Sequence, residues 1–356
     1  MRKAYLDNIR WFTVVLVVIY HVFYMYNGEG LQGTLGKITN LEVQYFDVYQ
    51  YIVYPWFMVL LFMVSGISSR LYLEKHTDRE FRKSRTTKLL VPTTIGLFAF
   101  QFIQGYINAQ LSNAGSIPAP PVVKFLIYSI SGIGVLWYIQ MLWLFSMVLL
   151  LIRKMEKGRL LSLGEKTNLL ILLLFTPVFY LAGQVGNTPI ICCYRFGLYF
   201  VAFLFGYYVL SHEKVVQILK KWWAPFCLAS VILCVWFCIK YFGLNYADKP
   251  VYLTPLFLVY GYIGSLSMLG LFARFFDRET PFTRWMGGRS FGLYIFHYLG
   301  ISSVALFLAK PEILPPAVIY PLSLVAGFVA GYGLNAILSR IPFWRWAVLG
   351  ITAKKR

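Results

Sequence analysis

Two side chains in the first apolar stretch, Arg10 and His21, stand eleven residues apart. At 100° and 1.5 Å per residue, a helix sets them about 20° apart in azimuth and about 16.5 Å apart in depth. One helix face then carries a guanidinium near its start and an imidazole farther along. A guanidinium grips phosphate or carboxylate through paired hydrogen bonds, and an imidazole can take a proton from a hydroxyl near neutral pH. The same pair also fits an anchoring arginine and a hydrogen-bonded core histidine. Because ionisable groups inside a bilayer are costly, it matters that all fourteen acidic residues fall in loops or at helix ends. His21 and His297 are left as the clearest deep titratable groups, while Arg195 and Lys240, near outer helix ends, are expected to snorkel toward water. His76 and His212 fall in loops and read as incidental.

A second cationic feature is the run Arg79-Glu80-Phe81-Arg82-Lys83-Ser84-Arg85-Thr86-Thr87-Lys88. Arg82, Arg85 and, less closely, Lys88 recur at helical spacing and share a face if this segment is helical. Such a cluster suits a phosphate-bearing ligand. It also suits a positive-inside topology signal or contact with lipid headgroups.

The elements that position these residues are apolar spans. The 356-residue chain is 59% hydrophobic and only 13% charged, against roughly 45–50% and 25% in soluble domains. Stretches of about 17–25 apolar residues predict an all-α, polytopic bundle of about ten transmembrane helices. They cover about residues 8–26, 49–69, 89–109, 133–152, 169–184, 193–210, 224–242, 252–274, 291–308 and 317–338. Met1-Arg2-Lys3 before the first span superficially resembles a secretory signal, but Tyr20-His21-Val22-Phe23-Tyr24 continues the run without a small-residue cleavage site, so a retained helix is expected. With the N-terminus inside, most of the 33 lysines and arginines fall on the cytoplasmic side, which predicts two cytoplasmic termini and a basic cytoplasmic loop at about 70–88. A single transmembrane domain, residues 1–356, in the plasma (inner) membrane is the expected organisation.

The net charge of +19 does not imply nucleic-acid binding, because the basic residues sit in short clusters between apolar spans. Membrane lipids and a phosphorylated ligand are the expected partners. Cys192, Cys193, Cys227, Cys234 and Cys238 form no CxxC pair and no metal-ligand spacing, so buried thiols without a metal are expected. Gly327 and Gly331 form a GxxxG that permits close helix packing.

Four elements, in order, resemble the acyltransferase-3 family of multi-pass membrane acyltransferases. Tyr5-Leu6-Asp7-Asn8-Ile9-Arg10 with His21 resembles its opening motif. Arg82-Lys83-Ser84-Arg85 before Leu89-Leu90-Val91-Pro92 is similar to its cytoplasmic RxxR loop. Leu136-Trp137-Tyr138-Ile139 resembles a tryptophan element of a middle helix, and Ser290 to His297 a late-helix signature ending in histidine. One departure is that Val135 and Leu136 precede Trp137, without the histidine many relatives carry there. The chain resembles stand-alone members similar in size to the glucan-modifying acyltransferases.

The resemblance implies an acyl-CoA donor, expected to be acetyl-CoA, entering from the cytoplasm, and a hydroxyl acceptor on an envelope carbohydrate or glycan. Arg10, Arg82, Arg85 and Lys88 would hold the phosphates of CoA, and His21, with Arg10, would make up the catalytic pair. Trp137, Tyr294 and His297 would support the acceptor or the base. Direct transfer and a covalent acyl-histidine are both compatible with this reading. A transporter or flippase of a lipid-linked saccharide is the competing function, though the spans lack the carboxylates common in proton-coupled carriers. A non-catalytic membrane scaffold is a third.

Overall fold

The computed structural model describes residues 3–27, 33–112, 118–188, 193–244 and 250–352. These residues are helical throughout, apart from turns and one isolated bridge between Asn187 and Arg195. Eight helices are long and apolar enough to cross a membrane: α1 (Ala4–Met25), α2 (Tyr45–Leu73), α3 (Asp78–Leu111), α5 (Gly134–Glu156), α10 (Trp223–Tyr241), α11 (Pro255–Phe275), α12 (Pro281–Ala309) and α13 (Pro316–Leu338). Shorter helices lie between and after them: α4 (Pro121–Ser131), α6 (Arg159–Glu165), α7 (Leu169–Gly183), α8 (Phe196–Leu210), α9 (Glu213–Lys221) and α14 (Pro342–Ala347).

All ten expected apolar segments are helices, but two are not straight spans. The segment at 169–184 is the second arm of a pair, α6 and α7, bent by 118°. Thr167 and Lys166 close the first arm on Gly164 and Leu163 carbonyls, and Asn168 caps the second by accepting from Ile171 N–H at 2.9 Å. An Asn side chain that satisfies an orphan helix N–H starts a new helix where the apolar pattern alone reads as continuous. The segment at 193–210 yields only the short α8.

The basic segment is helical, the condition under which Arg82 and Arg85 share a face. Thr77 and Glu80 form a reciprocal capping box: Glu80 Oε2 accepts from Thr77 N–H at 2.9 Å, and Thr77 Oγ1 accepts from Glu80 N–H at 3.3 Å. α-Helical winding ends at Arg85, and a π turn spans Thr86–Leu90 just before Pro92. Proline has no N–H to donate back into the ladder, and the wider i→i+5 turn accommodates that gap. Wider winding also carries Lys88 off the face shared by Arg82 and Arg85.

The contacts group the chain into two compact units built from interleaved segments. The first comprises the residues up to Thr13, Tyr51–Arg82 and Leu144–Gly287; the second comprises Val14–Gln50, Lys83–Trp143 and everything from Gly288 onward. In the first unit α2 crosses α8 at Gly66 and Gly206, where a methyl group on either glycine would collide with the backbone carbonyl of Phe203 or Met63. Arg195 belongs to this unit and is a correction to the snorkelling expectation. It is only 2% exposed, its guanidinium lying 4.3 Å from the Tyr252 ring centroid and 5.0 Å from that of Tyr54. Aromatic faces attract a guanidinium, and its Nη2 also donates to the Tyr54 hydroxyl. In the second unit the GxxxG acts as packing: Gly327 faces Ile301 and Val18, and Gly331 faces Leu293.

Cys227 lies 3.1 Å from Ser267 Oγ, and the described cysteines are free thiols; Cys192 lies outside the described residues.

Candidate active site

α1 carries both Arg10 and His21, and it belongs to the first unit as far as Thr13 and to the second from Val14. In the first unit Arg10 is already engaged. Its Nη1 lies 2.7 Å from Asp7 Oδ1, one helical turn earlier, and its Nη2 donates to Ser68 Oγ on α2. Ser68 Oγ in turn donates to the Val64 carbonyl at 2.7 Å. The expected phosphate ligand is therefore an arginine whose fork is oriented by a carboxylate and a hydroxyl. Its side chain remains 35% exposed, so an incoming phosphate can share it. Asp7 stands inside the opening motif and could have been read as an i,i+3 partner from spacing alone.

Arg82 and Lys88 are exposed and Arg85 half-buried. Asp78, at the start of the same helix, is paired with Arg153. Within the second unit, α14 and the residues after it lie against the end of the basic segment: a methyl group on Gly350 would meet the Thr87 carbonyl at 2.5 Å and Lys88 Cα at 2.7 Å. Sequence reasoning did not foresee this contact, because nothing local in either segment names the other.

The second unit brings together His21 and His297, which are 276 residues apart in the chain. His297 Nε2 lies 3.0 Å from His21 Nδ1. The protons of this pair follow from their neighbours. His297 Nδ1 faces two acceptors, the carbonyls of Leu293 at 3.0 Å and Tyr294 at 2.9 Å. A nitrogen facing carbonyls must carry the hydrogen, so the neutral His297 ring presents a bare Nε2. That lone pair accepts from His21 Nδ1–H, which also lies 2.9 Å from the Val17 carbonyl. His21 is consequently left with an unprotonated Nε2 on the opposite edge of its ring.

Burial separates the two histidines. His297 is fully buried, whereas His21 is partly accessible. Tyrosine rings surround His21, with centroids of Tyr298, Tyr20 and Tyr24 at 5.1, 5.4 and 5.8 Å. Tyr298 is itself held by donating to the Gly33 carbonyl at 2.8 Å. The supporting residues converge in the same unit. The Tyr294 hydroxyl donates to the Val135 carbonyl, and its ring lies 5.7 Å from Tyr138, next to Trp137. The tryptophan element and the late-helix signature are thus tied together at the position where the expected histidine is missing. Tyr294 is spent on that tie, and its ring centroid lies 6.2 Å from His297. His76, in the first unit, is exposed and stacks on Tyr72 at 4.0 Å.

The arrangement can accept one proton at His21 Nε2 while His297 prevents ring rotation and tautomer exchange. In geometry it is similar to the base-and-orienter half of a triad, with imidazole in the place of the orienting carboxylate. No curated protein and no solved structure matches the chain. The Acyl_transf_3 acyltransferase domain, however, matches residues 3–340, nearly the whole chain. With many apolar helices and that match, the chain belongs to the acyltransferase-3 family and is a multi-pass membrane acyltransferase acting on groups other than aminoacyl.

Proposed function

We propose that the enzyme moves an acetyl group from cytoplasmic acetyl-CoA to a hydroxyl of an envelope carbohydrate at the plasma (inner) membrane. The observation that carries this reading is the 3.0 Å contact of His297 Nε2 with His21 Nδ1, from which a bare Nε2 on His21 follows. In the direct route, His21 Nε2 takes the acceptor O–H proton as the oxygen attacks the thioester carbonyl. A tetrahedral oxyanion forms; its collapse breaks the C–S bond, and the thiolate of CoA leaves with the proton carried by the imidazolium. The products are the acetyl ester and free CoA, and His21 returns to its starting state. Throughout, His21 Nδ1–H stays on His297, so the ring does not turn between the two proton transfers.

Arg82, Arg85 and Lys88 supply cationic groups for the phosphates of the donor, and Arg10 supplies a fork oriented by Asp7 and Ser68. The family membership favours transfer over the carrier and scaffold readings. The test is reconstitution of the full chain in lipid with labelled acetyl-CoA and envelope glycans, followed by mass spectrometry. The expected result is acetyl esters on a saccharide hydroxyl, absent with His21→Ala; label on no saccharide would refute the proposal.

A further inference from the structure

A base that takes the acceptor proton acquires a full positive charge, and His297 does not answer it. That ring is neutral, and its one lone pair is already used by Nδ1–H of His21. The acidic residues of the second unit, Glu29, Glu42, Asp47 and Glu312, all lie outside α1 and α12, the two helices that carry the pair. A charge formed away from water is costly unless something of opposite polarity faces it.

Three tyrosine rings stand at that place. The Tyr298 ring centroid, from α12, lies 5.1 Å from that of His21, and those of Tyr20 and Tyr24, from α1, lie at 5.4 and 5.8 Å. All three rings meet the imidazole close to edge-to-face, with interplanar angles of 68°, 79° and 88°. A cation within about 6 Å of an aromatic centroid is attracted by the negative potential of the ring face. Tyr298 is buried, and its hydroxyl donates to the Gly33 carbonyl at 2.8 Å, so the ring is held from both ends. Tyr20 and Tyr24 stack on one another with centroids 5.8 Å apart. The first unit uses the same device on a permanent cation. There the buried Arg195 guanidinium lies 4.3, 5.0 and 5.2 Å from the ring centroids of Tyr252, Tyr54 and Phe257.

We infer that Tyr298, with Tyr20 and Tyr24, forms an aromatic cage that stabilises the imidazolium of His21 as it forms. The rings make and break no bond and act through His21: they are positioning residues for its charge. Their attraction grows as the proton arrives, so it is larger in the transition state than in the resting enzyme, which is the condition for raising kcat. A carboxylate in their place would favour the protonated ring before any acceptor was bound. Ring faces carry no net charge and leave the resting base neutral. The catalytic role of the cage rests on His21 being the base of the proposed reaction, whereas the attraction itself belongs to the imidazole and its neighbours.

The test grades the ring face while keeping its shape, in the full chain in lipid nanodiscs. Tyr298→Phe serves as the reference, and phenylalanines with one, two and three ring fluorines at the same position follow, each fluorine withdrawing electron density from the face. One readout is kcat for transfer from labelled acetyl-CoA to a glucose tetrasaccharide. The other is the fraction of His21 present as imidazolium at one fixed acidic pH, from ¹⁵N signals of the ring. Both are expected to fall stepwise along the series, kcat by about tenfold at three fluorines, while acetyl-CoA KM and thermal stability hold. A series that is flat or rising in either readout overturns the inference. So does a fall in kcat that tracks thermal stability, the mark of packing alone. A graded loss of imidazolium in protein that transfers no acetyl group leaves the cage standing and refutes the proposed function instead.

Discussion

Arg10 and His21 share one helix, yet they are held in opposite ways. Arg10 is fixed by charge, with the Asp7 carboxylate on one nitrogen and Ser68 on another. His21 is fixed by neutral groups only, the Val17 carbonyl and the ring of His297. The difference fits the roles proposed for the two residues. A cation that holds a phosphorylated carrier gains from a carboxylate that orients it, because its charge never changes. A base must keep its lone pair until substrate arrives, and a carboxylate at Nδ1 would favour the protonated ring before that moment. A neutral imidazole orients His21 without that penalty.

The largest effect that could break this comparison is at the base itself. His21→Ala is expected to cut acetyl transfer by roughly 10²–10⁴-fold while acetyl-CoA binding, measured by equilibrium dialysis, stays as in the wild type. Unimpaired transfer would remove His21 from the chemistry. Next in size is its partner. His297→Ala should lower kcat by roughly 10–100-fold, as loss of an orienting group commonly does, and His297→Gln, which keeps an acceptor, should recover part of it. A purely structural His297 would show no such recovery.

At the charged end the effects are smaller and appear in binding. Arg82→Ala and Arg85→Ala are each expected to weaken acetyl-CoA binding by about tenfold, the scale of one charge-assisted hydrogen bond, with kcat little altered. Raising ionic strength should increase the donor KM and leave the acceptor KM in place, because screening acts on exposed charges. Equal salt sensitivity of both would erase the contrast between the two ends. The smallest change is expected for Asp7→Asn, which keeps the hydrogen bond to Arg10 and loses the charge: a few-fold shift in donor affinity, read by the same dialysis.

Much of this architecture was legible from residue spacing. The apolar runs marked every principal helix, and Thr77-x-x-Glu80 before the basic run is a helix start that local rules recognise. The bend at Asn168 was not legible, since a capping side chain inside an apolar region leaves hydropathy almost unchanged. Arg195 was misread because its rings come from distant positions, Tyr54 and Tyr252. The site divides the same way. Arg10 and His21 lie on one helix, so periodicity relates them. The contact of His21 with His297 is made between helices almost 300 residues apart, and no periodicity reports it.

With four histidines in the chain, ¹⁵N-labelled imidazoles offer the most direct test of the central claim, that His21 presents a bare Nε2. Signals assigned through His21→Gln and His297→Gln should show the proton on Nδ1 in both rings of the resting enzyme. A proton on Nε2 of His21 would contradict the account, because that nitrogen could then take nothing from the acceptor.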